Sequence, residues 1–438
     1  MAPRLDYTVT PGGSLQGKLR LPGDKSISHR ALMLGAIAEG DTEIEGFLTG
    51  ADCLATLAAI RAMGVQVDER GPSHLVVHGR GLHGLKPSPK PIDLGNSGTA
   101  MRLFMGLLAG QGFEATLTGD ESLSRRPMKR VIHPLMAMGA SIESRNGFAP
   151  ITLHAIQPLE PARHVLKIAS AQVKSALLLA GLYAGGYTWL KESGPSRDHT
   201  ERMFHSFGVH VLRESGWLGV HGGEILRGTR IEVPADLSSA AFFMVGAAMT
   251  PGSKLVLEGV GVNPTRDGVI RILRLMGAHI EIHHSRLGGG EPAADILVQG
   301  GRLRGIDVTP ELVALAIDDI PAVLVAAACA EGITRVHGAG ELRVKESDRL
   351  QAMQAGLEAL GVTVNSGPDY INVNGTPRLK GAEIRSEGDH RIAMAFAVAG
   401  LRTEGPLRVQ DCANVDTSFP GFVAMAREAG LQITEQRA

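Results

Sequence analysis

The sequence has little of three things: cysteine, aromatic side chains and net charge. Its three cysteines lie far apart and form no CxxC pair, which excludes a disulfide framework and a cysteine zinc site and indicates a reducing compartment. Lysine and arginine (44) balance aspartate and glutamate (45), so no basic excess points to nucleic acid as a partner. Aromatic residues make up 4% of the chain, whereas there are 56 glycines, a composition that suits tight turns and closely packed helices.

Long apolar runs are also missing. No uninterrupted apolar stretch approaches the ~20 residues that a membrane-spanning helix needs, and residues 1–13 lack the apolar centre of a secretory signal. We therefore expect a cytoplasmic protein without a membrane partner. The length of 438 residues predicts two or more domains, because single cores stop growing near ~250–300 residues.

What the sequence does contain is one unit repeated six times. Each copy has an apolar helix, a strand, a loop, an amphipathic helix that ends at a glycine, and two further strands. The six glycines are Gly64, Gly139, Gly208, Gly277, Gly361 and Gly430. Subtracting neighbouring numbers gives spacings of 75, 69, 69, 84 and 69 residues, and such regularity is the signature of a repeat architecture.

The repeat predicts an α/β fold with helices inside and sheets outside, three units to a domain. The first helix of a unit carries few charges after its first turn, so we expect it to be buried on all sides. The second helix, as in "RDGVIRILRLMGA" (266–278), has one apolar face and should be half exposed. We place the first domain at residues 22–235 and the second at 1–21 plus 236–438.

Polar and basic residues gather in the first turn of each first helix. N-caps account for serine and aspartate there, and they suffice for Asp236 and Ser238. Cations at a helix start oppose the macrodipole and need another explanation; they are Lys25, Arg30, Lys174, His390 and Arg391. Because helix N-termini bind anions, we infer that a polyanionic small molecule lies among these ends, in a cleft between the two domains.

Other basic residues lie in the loops. Arg126 directly precedes Pro127 at a predicted helix start. Arg349 follows Lys345 by four residues, and the two lie on one face if that stretch is helical. The glycine-rich "GNSGTA" (95–100) is neither a dinucleotide nor a P-loop signature, and no GxSxG, HExxH or DxDxDG motif occurs. We therefore expect no metal and no cofactor.

Seven motifs, in order along nearly the whole chain, resemble one family. They are "LPGDKSISHRALMLGAIAEG", "LGNSGTAMRL", "RRPM", "ASAQVKSALLLAGL", "SRDHTE", "RVKESDRL" and "GDHRIAMA". Together they are similar to the 5-enolpyruvylshikimate-3-phosphate synthases, the enolpyruvyl transferases of the shikimate pathway, and to the second bacterial class of that family. The resemblance implies a pair of inside-out α/β barrels, each of three βαβαββ units, with the active site in the interdomain cleft.

The resemblance also implies a reaction in aromatic amino acid biosynthesis. Phosphoenolpyruvate transfers its enolpyruvyl group to the 5-hydroxyl of shikimate 3-phosphate and releases phosphate, by addition and elimination through a tetrahedral intermediate. Both substrates are small anions, as the helix starts predict. We expect the chain to act as a monomer.

The matching motif positions carry the site residues of the family over to this chain. Those implied for shikimate 3-phosphate are Lys25, Ser26, Arg30, Ser170, Ala171, Gln172, Arg197, Asp318 and Lys345. Those implied for phosphoenolpyruvate are Lys25, Gly98, Arg126, Gln172, Arg349 and Arg391. Asp318 matches the base near the 5-hydroxyl, and Glu346 matches the residue that moves the methylene proton. A carboxylate among arginines stays ionised, so Lys25 is an alternative proton donor.

Two positions depart from the best-known pattern of the family. Thr417 stands where that pattern has a lysine on phosphate, so this contact is missing or comes from elsewhere, and Ala171 stands where it has a second serine. Gly98 stands where members that tolerate glyphosate have alanine. The resemblance therefore implies that glyphosate inhibits this chain.

Two other functions fit the residues less well. The enolpyruvyl transferase that acts on UDP-N-acetylglucosamine shares the fold, but its reactive loop cysteine has no match, because Cys53, Cys329 and Cys412 lie in predicted helices or strands. A non-catalytic anion-binding module predicts the loss of catalytic side chains, whereas the three predicted ones are present.

Overall fold

The computed structural model describes residues 5–155 and 158–437. These residues form fourteen α-helices: α1 (Lys25–Ile37), α2 (Ala51–Ala62), α3 (Gly98–Ala109), α4 (Glu121–Ser124), α5 (Lys129–Ala137), α6 (Ala171–Gly181), α7 (His199–Ser206), α8 (Leu237–Met249), α9 (Gly268–Leu275), α10 (Pro310–Ala316), α11 (Ile320–Ala328), α12 (Arg349–Ala359), α13 (His390–Ala399) and α14 (Phe422–Glu428). Three short 3₁₀ helices cover Gly340–Val344, Gly400–Arg402 and Ala413–Thr417. In this part of the chain no helix has both the length and the apolar character that crossing a bilayer requires.

The same residues form twenty-four strands in six sheets of four. The strands are β1 (Leu5–Val9), β2 (Gln16–Leu19), β3 (Asp41–Glu45), β4 (Gln66–Gly71), β5 (His74–His78), β6 (Ile92–Asp93), β7 (Ala115–Thr118), β8 (Ser141–Arg145), β9 (Phe148–His154), β10 (Arg163–Leu166), β11 (Tyr187–Glu192), β12 (Val211–Glu214), β13 (Trp217–His221), β14 (Arg230–Glu232), β15 (Lys254–Gly261), β16 (His279–Gly288), β17 (Glu291–Gln299), β18 (Asp307–Val308), β19 (Ile333–His337), β20 (Thr363–Ser366), β21 (Tyr370–Asn374), β22 (Ala382–Arg385), β23 (Leu407–Gln410) and β24 (Ile433–Arg437). The sheet orders are β14-β3-β5-β4, β6-β7-β9-β8, β10-β11-β13-β12, β2-β15-β17-β16, β18-β19-β21-β20 and β22-β23-β1-β24.

One topology recurs in the six sheets. In the sheet β6-β7-β9-β8, the first two strands are parallel, and the next two pairs are antiparallel. The sheet β18-β19-β21-β20 has the same directions. Along the chain, a first helix follows the first strand of each sheet and a second helix follows the next. This recurrence is the predicted repeat, and it confirms the α/β class.

The sixth sheet is completed by the N-terminal strand. Strand β1 pairs antiparallel with β23 on one side, where Tyr7 faces Val409. It pairs antiparallel with β24 on the other side, where Tyr7 faces Glu435. The last repeat of the chain therefore takes one of its four strands from the opposite end of the sequence.

The chain forms two compact units, each with its own hydrophobic core. The N-unit comprises Gly23–Val233 together with Leu287–Glu291. The C-unit comprises the segment that ends at Pro22, Pro234–Arg286 and the chain from Pro292 onward. Each unit contains three of the six sheets.

The first helices of the repeats are almost completely buried, as predicted. They are α1, α3, α6, α8, α11 and α13, and every residue of α8 and α11 is buried. The second helices bury one face: in α9, Val269 and Ile272 are buried whereas Arg271 and Arg274 are exposed. This division follows from composition, because a helix that is apolar all round is stable only when surrounded by protein.

The six repeat glycines all adopt left-handed backbone conformations. Their φ angles lie between 83° and 108° at the residue where each second helix ends. An L side chain is strained in this region, and glycine is the usual residue that terminates a helix this way. The periodic glycines therefore mark a conformational requirement that recurs in every repeat.

Candidate active site

The six first helices begin within or next to the predicted stretches, and five have a side-chain N-cap. The capping residues are Asp24, Ser97, Ser170, Asp236 and Asp389, each of which accepts a backbone N–H of its helix. Each cap satisfies one of the free N–H groups at a helix start. The remaining N–H groups of these turns are the elements that an anion can use.

In the N-unit, the side chain of Lys25 opens α1. Its Nζ lies 2.9 Å from Oδ2 of Asp52, and the two side chains are 18% and 7% exposed. Ser26, the next residue, is half-buried. The ammonium of Lys25 is therefore held beside a carboxylate of the neighbouring helix α2 while part of it stays accessible.

Arg30 lies one turn further along α1 and is held by neutral oxygen atoms. Its Nε donates to Oγ1 of Thr200 (2.7 Å), its Nη2 to Oγ of Ser175 (2.8 Å) and its Nη1 to the carbonyl of Ser26 (2.9 Å). Burial lowers the pKa of Arg30 to about 10; the charges of Glu201 and Asp24 oppose this shift, and the nearby positive charge of Arg197 adds to it. This buried guanidinium is an electropositive centre in the N-unit.

The start of α3 carries Gly98 beneath two guanidinium groups. A Cβ atom placed on Gly98 would lie 3.0 Å from Nη1 of Arg102 and 3.2 Å from Nη1 of Arg126. Asn96 holds Arg126 through its side-chain oxygen (2.6 Å) and its carbonyl (3.2 Å). Because Gly98 has no side chain, the guanidinium groups of Arg102 and Arg126 can lie close to the backbone at the start of α3.

The start of α6 is tied to α3 through Gln172. Its Oε1 accepts from Nη1 of Arg102 (2.6 Å), and its Nε2 donates to Oγ1 of Thr99 (2.9 Å). The neighbouring Ser170 and Ala171 are half-buried. Since Arg30 also bonds Ser175 of α6, side chains link the N-terminal halves of the three first helices of the N-unit.

In the C-unit, one buried guanidinium gathers three carboxylates. Arg349 lies 3.4 Å from Asp318, 2.6 Å from Glu346 and 2.8 Å from Asp389. Its side chain is 1% exposed. Burial alone would lower the pKa of Arg349, but the carboxylates, with Asp389 first, raise it. The side chain is therefore permanently charged.

Lys345 and Arg391 complete this cluster. Nζ of Lys345 lies 3.1 Å from Asp318. Nη1 of Arg391 donates to the carbonyl of Asp318 (2.8 Å) and lies 3.3 Å from the carboxylate of Asp319. The two carboxylates that the resemblance assigns to catalysis, Asp318 and Glu346, therefore share a basic neighbourhood at the starts of α11, α12 and α13.

The structure thus places the predicted site residues in two sets. The N-unit set contains Lys25, Ser26, Arg30, Gly98, Arg126, Ser170, Ala171, Gln172 and Arg197. The C-unit set contains Asp318, Lys345, Glu346, Arg349 and Arg391. Within each set, the contacts above join residues that are far apart in the sequence.

The structure gives the helix bounds beside two of the predicted basic residues. Arg126 lies between α4 and α5 and precedes the start of α5 at Lys129, since the residue before a proline is disfavoured in helical conformation. Residues 345–348 are not helical, since Asp348 accepts the backbone N–H of Gln351 and so starts α12 only at Arg349. Lys345 and Arg349 nevertheless meet at one carboxylate.

The cations at helix starts also need a correction. An anionic substrate is the neighbour that the sequence predicts for them, but carboxylates of the chain lie beside several of them. Asp52 pairs with Lys25, Asp319 with Arg391, and both Glu192 and Glu201 with Lys174. These acids were missed as site residues, because nothing in the local sequence identifies their partners. Arg102 and Asp389 were missed as well, although both lie in quoted motifs.

The three cysteines are inaccessible or poorly accessible. Cys53 lies in α2 and is buried, Cys329 follows α11, and Cys412 is buried just beyond β23 rather than within a strand. Burial raises the pKa of the Cys329 thiol to about 11 and that of Cys412 to about 12. Near neutral pH these two thiols are therefore poor nucleophiles.

Thr417, which stands where the best-known family pattern has a lysine, donates its hydroxyl to the carbonyl of Asn414 (2.7 Å).

The repeats and the two sets define the class: a six-repeat α/β protein in which arginine and lysine side chains gather at the starts of buried helices. The model of the family described as EPSP synthase (3-phosphoshikimate 1-carboxyvinyltransferase) matches residues 9–425. The chain belongs to the EPSP synthase family and is a transferase of the shikimate pathway, as its motifs predicted.

Individual relatives cover nearly the whole chain. The 3-phosphoshikimate 1-carboxyvinyltransferase of Alkalilimnicola ehrlichii is 58% identical over 431 residues, which are 98% of this chain and 97% of the relative. That of Methylococcus capsulatus is 56% identical over 428 residues, 98% of either chain. Among solved structures, an EPSP synthase from Acinetobacter baumannii is 48% identical and matches with a TM-score of 0.89, covering 99% of this chain and 100% of that chain.

Proposed function

We propose that this chain transfers the enolpyruvyl group of phosphoenolpyruvate to the 5-hydroxyl of shikimate 3-phosphate, with the residues of both sets taking part. The observation that carries the proposal is the cluster around Arg349, where Asp318 and Glu346 are held on one buried guanidinium. A carboxylate that stays ionised can take a proton from a hydroxyl group, and basic neighbours keep it ionised.

The reaction consists of an addition and an elimination. In the addition, the 5-hydroxyl oxygen bonds to C2 of phosphoenolpyruvate, its proton passes to Asp318, and the methylene carbon gains a proton. In the elimination, the C–O bond to phosphate breaks, the methyl carbon loses a proton, and the double bond forms again. Each proton transfer needs its side chain within hydrogen-bond reach of the reacting atom.

The basic residues bind the charges of the two substrates. Arg126, Arg349 and Arg391 suit the carboxylate and phosphate of phosphoenolpyruvate, because a guanidinium can bond such groups with two parallel hydrogen bonds. Arg30 and Arg197, with the start of α6, suit shikimate 3-phosphate. Buried cations and free N–H groups at a helix start favour an anion at both places.

The donor of the methylene proton is Glu346 or Lys25. Glu346 is 24% exposed at its side chain and lies 2.6 Å from Arg349, which favours its carboxylate form. Lys25 carries its proton at neutral pH, but its ammonium is engaged with Asp52. We favour Glu346 as the group that removes the proton in the elimination, and the donor in the addition stays open between the two.

The finer predictions about the whole molecule are also part of this proposal. Helices buried on all sides beside four-stranded sheets support an inside-out barrel in each unit. The domain division at residues 22–235 against 1–21 plus 236–438, and the predicted location of the active site, stay predictions. So do a monomeric state and a cytoplasmic location.

A direct assay tests the proposal. Purified protein is incubated with phosphoenolpyruvate and either shikimate 3-phosphate or UDP-N-acetylglucosamine, and released phosphate and the enolpyruvyl product are measured. We expect turnover with shikimate 3-phosphate alone. Turnover with UDP-N-acetylglucosamine instead, or phosphate release without an enolpyruvyl product, would contradict the proposal.

Two variants extend this assay to the proposed residues. We expect Asp318→Asn and Glu346→Gln each to lower kcat by about 10²–10⁴-fold, the usual contribution of a positioned acid or base. The matched control is Asp307→Asn, which removes an exposed carboxylate paired with Arg335 and should leave kcat unchanged. Full activity in either site variant would remove that residue from the mechanism.

A further inference from the structure

Lys174 is a fully buried lysine in the N-unit that the proposed mechanism does not use. It lies in the first turn of α6, and its side chain is 1% exposed. Its Nζ is 2.8 Å from Oε1 of Glu201, 3.0 Å from Oε2 of Glu192 and 3.5 Å from the carbonyl of Ser196. A buried ammonium between two carboxylates is costly to desolvate, so its retention calls for a role.

The three partners of Lys174 lie along one connection. Glu192 ends β11, Ser196 lies midway, and Glu201 is in the first turn of α7. The hydroxyl of Ser196 also donates to Oε1 of Glu192. One ammonium therefore fixes the beginning, the middle and the end of the segment from Glu192 to Glu201.

This segment carries Arg197, the next residue after Ser196. Arg197 is close enough to Arg30 for its charge to lower the pKa of that guanidinium. Two guanidinium groups repel each other at such a distance. Thr200, near the end of the segment, ties it to α1 by accepting from Nε of Arg30 (2.7 Å), so the part that needs a further restraint is the middle, where Arg197 lies. The contacts of Lys174 provide that restraint.

We propose that Lys174 is a positioning residue for the phosphate group of shikimate 3-phosphate, which acts by holding the 192–201 segment so that Arg197 faces this anion. The inference rests on the proposed function. Lys174 itself is too buried to be a substrate ligand, and its charge is engaged by Glu192 and Glu201. Its effect is therefore specific to the substrate that Arg197 binds.

The experiment compares steady-state kinetics of the wild-type protein, Lys174→Met and Glu192→Gln. We expect KM for shikimate 3-phosphate to rise about tenfold in both variants, the effect of losing one hydrogen bond to a charged group. The KM for phosphoenolpyruvate and kcat should change by less than about twofold, because an interaction used in ground-state binding alone leaves kcat intact. Glu192→Gln keeps the pairing of Lys174 with Glu201, so it reports on the loop even if Lys174→Met does not fold.

Two further measurements separate positioning from general damage. Shikimate, which lacks the phosphate, serves as a poor substrate for comparison. Its KM should be the same in the wild-type protein and in both variants. In an Arg197→Ala background, Lys174→Met should add no further rise in KM, since residues that act through one another are not additive. The control is Lys191→Met, which replaces an exposed lysine of β11, the strand that ends at Glu192. Its KM values and kcat should match those of the wild-type protein.

The outcomes are distinct. Equal rises in both KM values with a fall in kcat, or additive effects of Lys174→Met and Arg197→Ala, would overturn the positioning role. Wild-type protein that does not turn over shikimate 3-phosphate would overturn the proposed function itself, and the inference with it.

Discussion

The carboxylate of Asp389 serves Arg349 and helix α13 at once. It accepts hydrogen bonds from Nε and Nη2 of Arg349 (2.8 and 3.3 Å) and caps α13 at the backbone N–H of Arg391 (2.9 Å). Burial alone would raise the pKa of Asp389, but the charge of Arg349 holds it below its usual value. One acid therefore orients the guanidinium of Arg349 and caps the helix start that carries Arg391, the two arginines that the C-unit contributes to the proposed phosphoenolpyruvate site.

Replacing this acid should weaken both the fold and the binding of one substrate. We expect Asp389→Asn to lower the free energy of unfolding by about 1.5–3 kcal/mol, the value of a hydrogen bond to a charged group, and to raise KM for phosphoenolpyruvate. Urea unfolding and steady-state kinetics measure the two effects. Asp307→Asn, at an exposed ion pair worth about 0–1 kcal/mol, is the control. Identical unfolding curves for Asp389→Asn and wild-type protein would contradict the prediction.

Glyphosate should inhibit the wild-type protein, and Gly98→Ala should weaken that inhibition. The new methyl group would press on the guanidinium ends of Arg102 and Arg126 at 3.0 and 3.2 Å. These atoms are the ends of flexible side chains, so they can shift to make room for the methyl group. The methyl group and the shifted guanidinium groups then leave less space for a ligand longer than phosphoenolpyruvate. Inhibition titrations of the two proteins measure the shift, and curves that coincide would reject the idea.

Acid should destabilise the protein through His29. Burial first, and then the charges of Lys25 and Arg30, hold the pKa of His29 well below 6.5, so the folded ring stays neutral where the unfolded one takes a proton. The stability that depends on this is complete above pH 6.5 and is lost as the pH falls toward the folded pKa. Its slope approaches about 1.4 kcal/mol per pH unit.

Unfolding titrations between pH 7 and 5 test this contribution. His29→Gln should reduce the slope of the unfolding free energy against pH, because up to one proton fewer is taken up on unfolding. His78 is the contrasting case, because its hydrogen bonds to Asp68 and Asp41 raise its pKa. Its contribution is present below pH 6.5 and disappears as the pH rises through the raised value. A pH dependence unchanged by His29→Gln would show that this ring does not titrate on unfolding.

Hydrogen exchange at the methylene carbon should distinguish Glu346 from Lys25. In deuterated water with both substrates, wild-type protein should place deuterium in the methylene group of the product. We expect Glu346→Gln to slow this incorporation by about 10²–10⁴-fold and Lys25→Met to affect KM more than incorporation. The reverse pattern, measured by mass spectrometry of the product, would assign the proton transfer to Lys25.

Thiol alkylation should leave the activity of the folded protein intact. Burial raises the pKa of Cys329 and Cys412 to about 11 and about 12 and removes Cys53 from solvent, so iodoacetamide at pH 7 meets little thiolate. Activity and the mass of the protein are followed together. Rapid inactivation with one added label would point to a reactive cysteine, as in the rival that acts on UDP-N-acetylglucosamine.

The sequence predicted the elements of this fold well because two signals recur along the chain. N-cap residues and an abrupt change to apolar composition mark the first helices, five of which have a side-chain cap, and glycine marks the end of each second helix. The spacing from Lys345 to Arg349 left the helix start undecided there, and the structure shows that the cap at Asp348 starts α12 at Arg349.

The partners of the site residues could not be predicted in the same way. Asp52 is 27 residues from Lys25, and Asp389 is 40 residues from Arg349. The first pair depends on how the two helices of one repeat pack together, and the second depends on which repeats lie side by side; one sequence states neither. The family motifs supplied the identity of the basic residues, but the acids that neutralise and orient them became visible only with the fold.

Strand β1 lies between β23 and β24, and this fixes an order of assembly during synthesis. The ribosome makes β1 long before β23 and β24, so the sixth sheet closes only after these two later strands have been made. The N-unit is nearly continuous from Gly23 to Val233, so it can fold before β23 and β24 are made. In a nascent chain truncated before β23, we therefore expect the N-unit to resist protease while the C-unit is still digested.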